Sequence, residues 1–156
     1  MIGLYHSLVY SYVTYCYEVW GLGYANHRKK LVILQKRCIR IICNSTRYEH
    51  TNPLFKDLKI LKIDDINSYL ITIMMFKFYN KEIPTVIQDM FKSNSSVHDH
   101  FTRQNKDLHP PLAMRNYTQM SFRYMGVKIW NNRPSSLSCN CTINTFKNNL
   151  KKNHHQ

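Results

Sequence analysis

Between residues 64 and 80 the chain carries Ile66, Tyr69, Leu70, Ile73, Met74, Phe76 and Phe78. At about 100° per residue these positions surround a helix instead of marking one side of it. A helix with no polar face has to be enclosed by other elements, so this segment demands a bundle built around it. The 156 residues supply material for one modest core, with 44% hydrophobic and 20% charged side chains, a globular rather than a disordered composition. The expected fold is mainly α: a small helical bundle over about residues 3–91, then an irregular arm with short strands, then C-terminal helices.

The partners of the central helix are sought on either side. Residues 3–19 are apolar and aromatic and stop at Trp20-Gly21. They read as a helix buried on most sides, although the valines and tyrosines would also suit a strand. Residues 25–43 give the clearest helix: Leu31, Leu34, Cys38, Ile41 and Ile42 fall on one face. Lys29, Lys36 and Arg40 fall opposite, with Lys30 and Arg37 at the shoulder and Ile33 the one apolar residue among them. Asn52-Pro53 opens a short helix to residue 59, Asp64 caps the central helix, and Pro84 begins one more turn towards Phe91.

After residue 92 the texture changes. Residues 93–96 read as a linker, and residues 97–115 hold three histidines and Pro110-Pro111 with little periodicity. Residues 121–132 read as a strand leading into a helix, and Thr142 or Asn144 caps a last helix to about residue 152. The organisation expected is a helical region 1–92, an extended arm 93–120 and a small helical segment 121–156.

Charge narrows the function. Twenty-two Lys and Arg against nine Asp and Glu give a net charge of +13. Such an excess points to a polyanion, nucleic acid before membrane. No apolar run approaches the roughly 20 residues needed to cross a bilayer. Residues 28–47 hold seven bases and no acid, whereas residues 48–96 hold six of each. The candidate nucleic-acid contacts are therefore Arg28, Lys29, Lys30, Lys36, Arg37 and Arg40, with Arg103, Arg123, Lys128, Lys147, Lys151 and Lys152 as secondary candidates. A solvated outer face is the competing explanation for the first group. Tyr117 and Tyr124 offer stacking surfaces for bases, and Trp130 fits core packing better.

No catalytic residue, metal site or cofactor is expected. Asp64-Asp65 has the look of a polymerase carboxylate pair but opens a helix, where acids suit the positive end of the dipole. Cys139-Asn140-Cys141 and His154-His155 lack the spacing of a zinc site. Five cysteines, an odd number, and a start without a basic leader fit a reducing compartment, nuclear or cytoplasmic, with free thiols.

Laid end to end, these motifs resemble the C-terminal, thumb and post-thumb, region of jockey-type non-LTR retrotransposon reverse transcriptases. The likeness is carried by Tyr12-Val13-Thr14-Tyr15-Cys16 with Val19-Trp20-Gly21, by Leu34-Gln35-Lys36-Arg37-Cys38-Ile39-Arg40, and by His50-Thr51 with Pro53-Leu54-Phe55. It continues through Lys77-Phe78-Tyr79-Asn80-Lys81, Thr102-Arg103-Gln104, Ser121-Phe122-Arg123-Tyr124 with Gly126, Trp130-Asn131 and Phe146-Lys147. Ser11 and Arg133 depart from the family, which more often has Pro and Leu there. The resemblance implies an RNA-directed DNA polymerase whose catalytic aspartates lie in a palm preceding these residues. It also implies that this stretch is no enzyme alone and that its partners are RNA or RNA–DNA hybrid and that palm. The competing readings are a relic of a truncated element and a host-adopted module that meets a protein through residues 63–80.

Overall fold

A computed structural model describes residues 1–97, 107–134, 137 and 141–155. Among them the secondary structure is helical, and the one pairing of extended backbone is an isolated antiparallel bridge between Ser93 and Leu108. The mainly α expectation is met, and among the described residues of the arm the expected short strands are represented by that bridge alone. The chain divides into two compact units: Met1–Ser68 with Lys151–Gln156, and Tyr69–Leu150. The division falls within a helix, whereas the sequence pattern suggests a boundary at residue 92.

The first unit begins with α1 (Ile2–Tyr5), a π-helical turn (His6–Tyr10) and α2 (Ser11–Thr14), joined without leaving helical dihedral angles. The expected helix over residues 3–19 is therefore interrupted before its end. Tyr15 turns extended and Cys16 takes the left-handed conformation, at φ 48°, ahead of the single turn α3 (Tyr17–Trp20). The absence of charge does not mean burial here, which corrects the expectation from composition. Leu4, Leu8, Tyr12, Tyr15 and Val19 are all exposed, and the inward side is held by Tyr5 and Tyr17.

Helix α4 (Ala25–Ile42) has the expected limits but is turned roughly 60° about its axis from the expected orientation. Leu34 and Ile41 face outward, while Gln35 and Ile39 are buried. Ile39 joins Tyr5, Phe55 and Ile60 in a cluster, with Val9, Tyr10, Cys38, Ile42, Leu54 and Leu58 packed on it. Phe55 comes from α5 (Thr51–Asp57), which has Pro53 in its first turn, where a missing N–H costs nothing.

Gln35 sits in this apolar setting because every polar atom of its side chain has a partner. Its Nε2 donates to the Tyr5 hydroxyl at 2.8 Å and to the Leu61 carbonyl at 2.9 Å, and its Oε1 accepts from the Ile63 N–H at 3.1 Å. The last bond supplies a partner for an otherwise unpaired donor at the start of α6 (Ile63–Tyr79). The Tyr17 hydroxyl donates to the Ile63 carbonyl at 2.8 Å, with its ring packed over Gly21. A Cβ at Gly21 would lie 2.3 Å from that ring, so no larger residue fits. Asp64 and Asp65 lie inside the first turn of α6, where the dipole favours them, rather than at the cap position.

The second unit is held by aromatic rings. Phe76 of α6 stacks on Phe146 at a centroid distance of 4.2 Å, and Trp130 and Tyr79 extend the same group. Phe91, beyond the turn α7 (Thr85–Gln88), meets Phe78 and Phe122. The turns α8 (Asn94–Val97) and α9 (Asn116–Gln119) precede α10 (Phe122–Asn131), so the linker expected at 93–96 is largely helical. Ser121, expected to start a strand, instead caps α10 by accepting the Tyr124 N–H. Thr142 caps α11 (Ile143–His155) as expected, accepting from Thr145 N–H at 3.4 Å. Arg133 lies 4.2 Å over the Trp130 ring and donates to the Trp130 carbonyl, which gives this unusual charge two favourable partners at the end of α10.

Two outcomes test this account of the first unit. Gln35→Leu strands the Leu61 carbonyl and the Ile63 N–H, and is expected to lower stability by about 2–4 kcal/mol in urea unfolding. Burial raises the phenol pKa of Tyr5, Tyr10 and Tyr17, with the Gln35 hydrogen bond opposing it at Tyr5 and the Arg28 interactions opposing it at Tyr17. Because the folded pKa lies above the unfolded one, the contribution is intact below about pH 10 and is lost as pH rises through the folded values. The urea midpoint is expected to fall above that pH, and to fall less steeply in Tyr17→Phe, which starts about 1 kcal/mol lower.

Candidate nucleic-acid interface

The outward rotation of α4 places cations and aliphatic side chains side by side. Lys36, Arg37, Arg40, Ile33 and Ile41 line an open groove of about 800 Å³, completed by Met1 and by Asn44, Ser45 and Arg47 from the turn after the helix. No acidic residue lines it. Lys36 and Arg40 are one turn apart, about 6 Å along the axis, and Arg47 continues the positive charge past the helix end.

The turn holds its shape for identifiable reasons. Asn44 adopts a left-handed conformation at φ 51°, which asparagine tolerates better than most residues. The Ser45 N–H then bonds to the Arg40 carbonyl at 2.9 Å. Arg40 donates from Nε and Nη2 to the Glu49 carbonyl, at 3.1 and 3.0 Å, so one guanidinium anchors the 44–49 segment. Five N–H donors on each guanidinium leave three on Arg40 for an anion.

The six primary candidates separate into three groups. Lys36, Arg37 and Arg40 line the groove. Lys29 and Lys30 are exposed on α4 but stand outside its lining. Arg28 is turned towards the core side, where it pairs with Asp64 at 3.0 Å and its side chain is only 20% exposed. It braces the start of α6, and its Nε is buried without a hydrogen-bond partner. Arg47, left out of the candidate set because it follows the helical pattern, belongs to the groove. Its position after an asparagine turn was the available signal.

None of the described secondary candidates is among the residues lining this groove. Arg123 and Lys128 are exposed on α10 but stand about 140° apart around it, so they form no single stripe. Lys147, Lys151 and Lys152 belong to α11, the last two exposed. Arg103 lies outside the described residues, as do Cys139, Asn140 and residues 98–106 of the expected arm. Tyr117 is exposed, Tyr124 is half-buried, and Trp130 is a core residue. Among the described residues no cluster of His, Cys, Asp and Glu could hold a metal ion, and no helix is long and apolar enough to cross a membrane.

Compared with known proteins, the chain matches no protein-family model, no curated protein and no solved structure. The groove is thus characterised by its own chemistry: a row of cations and aliphatic side chains free of acids. Arg40→Ala is expected to release the 44–49 segment, raising its amide hydrogen exchange while global stability falls by about 1 kcal/mol. Unchanged exchange would show that the segment is held by other contacts.

Proposed function

We propose that the chain is the thumb and post-thumb region of a non-LTR retrotransposon reverse transcriptase, and that it holds RNA or RNA–DNA hybrid by the phosphates. The observation that carries the binding reading is the acid-free row of Lys36, Arg37, Arg40 and Arg47 in one groove. Cations set this close together concentrate the counterion release that drives phosphate binding. The turn after α4 adds Arg47 to the groove that Arg37 lines, so the cations of helix and turn share one surface.

The family assignment rests on the sequence motifs. On that reading the catalytic carboxylates belong to a palm, the chain is not an enzyme by itself, and the groove needs no cofactor. The exposed side chains Leu4, Leu8, Tyr12, Tyr15 and Val19 support a protein partner as well, which the same reading supplies as the palm. They equally favour a second reading, a host-adopted interaction module. Such a module would use this surface and not residues 63–80, because Ile63, Ile66, Tyr69, Ile71, Ile73, Met75 and Phe76 are buried.

Binding of the purified chain to labelled RNA and to a primed RNA–DNA hybrid, titrated with salt, tests the proposal. Lys36→Glu combined with Arg37→Glu is the informative variant, because Arg40 remains to hold the turn. It is expected to weaken binding and to flatten the plot of log affinity against log salt by about 1.4–1.8 units. A folded chain without salt-dependent binding would overturn the nucleic-acid reading.

A further inference from the structure

The composition of the groove carries the argument one step beyond phosphate binding. We infer that its preferred ligand is an unpaired strand, with phosphates on Lys36, Arg37, Arg40 and Arg47 and a base laid over Ile33, Ile41 and Met1. This inference rests on the nucleic-acid reading above and narrows it.

The aliphatic members are the reason. Ile33 is 50% exposed and Ile41 66% exposed, and both sit among the cations of the outer face of α4. A paired helix presents sugars and phosphates outward and keeps its base faces stacked inside, so it has no apolar surface to cover these side chains. An unpaired strand exposes base faces, apolar surface that an aliphatic side chain can remove from water. Ile33 and Ile41 are eight residues apart, about 12 Å along the helix, and flank Arg37. A base and its own phosphate can therefore be accommodated together.

The layout of charge favours the same ligand. The four cations form one short row along a helix and the turn after it. A single short row can follow the phosphates of one strand, which is all the backbone that an unpaired strand presents. Asn44 and Ser45 also line the groove, adding an amide and a hydroxyl suited to the hydrogen-bonding edges that unpaired bases expose. Tyr48, next after Arg47, is 88% exposed and offers a ring at the end of the row.

The test measures fluorescence anisotropy of the full chain with a labelled oligouridylate, an RNA duplex of equal length, and vesicles of anionic phospholipid as competitor. The expected result is tighter binding of oligouridylate than of duplex at equal salt, with a log–log salt slope of about −2.8 for four contacts on a single strand. Ile33→Ser with Ile41→Ser is expected to weaken oligouridylate binding about tenfold while duplex binding and the salt slope hold. Tyr48→Ala, which removes a side chain outside the core, is expected to weaken oligouridylate binding selectively as well. Equal or tighter binding of duplex, or serine variants that weaken neither ligand, would overturn the strand preference while leaving phosphate binding standing. Salt-dependent binding to neither nucleic acid would overturn both, as would vesicles that bind and displace both RNAs.

Discussion

The side-chain amide of Gln35 is the point from which the first unit is organised. One carbonyl oxygen and one amino group reach Tyr5 on α1, the backbone at Leu61, and the first N–H of α6. An apolar side chain could fill the space, yet it would leave a helix start and a carbonyl without partners in a region remote from water. Tyr17 reinforces the same spot from α3 through the Ile63 carbonyl, and Arg28 does so through Asp64. Three polar side chains thus gather at residues 61–64 and fix the rotation of α4. That rotation decides which residues are left for the solvent.

The groove follows from this choice. With Gln35 and Ile39 inward, Ile33 and Ile41 have to be outward, and they arrive among Lys36, Arg37 and Arg40. The mixture of aliphatic and cationic groups is thus a consequence of the internal hydrogen bonds. Had Leu34 and Ile41 faced the core, the outer face would have been more uniformly basic. The turn at Asn44 then adds Arg47 to the row, and Arg40 contributes to both the turn and the groove.

Much of the helical plan is legible in the sequence, and the departures come from long-range contacts and turns that periodicity does not register. The limits of α4, the cap of α11 at Thr142 and the core position of Trp130 follow from local rules about termini and periodicity. Side-chain polarity is a poorer guide to facing. Gln35 has no place on the expected apolar face, because its partners are a tyrosine thirty residues away and backbone groups beyond residue 60, which periodicity does not register. The N-terminal helices read as buried because they lack charge, although exposed apolar surface needs no charge to exist. The break at Tyr15 and Cys16 carries no proline or glycine to announce it. Arg47 was missed for a similar reason, since it joins the groove only through a left-handed turn.

The apolar outer surface formed by Leu4, Leu8, Tyr12 and Tyr15 has a consequence for how the isolated chain behaves in solution. Copies carrying +13 repel one another at low ionic strength, and this repulsion keeps their exposed leucines and tyrosines apart. Added salt shortens the range of that repulsion to about 10 Å at 0.1 M and less above it, without weakening apolar contact. Colloidal stability is therefore coupled, through the same charges, to the phosphate binding proposed above. On the proposed function, conditions that strip nucleic acid from the protein also remove the barrier to self-association.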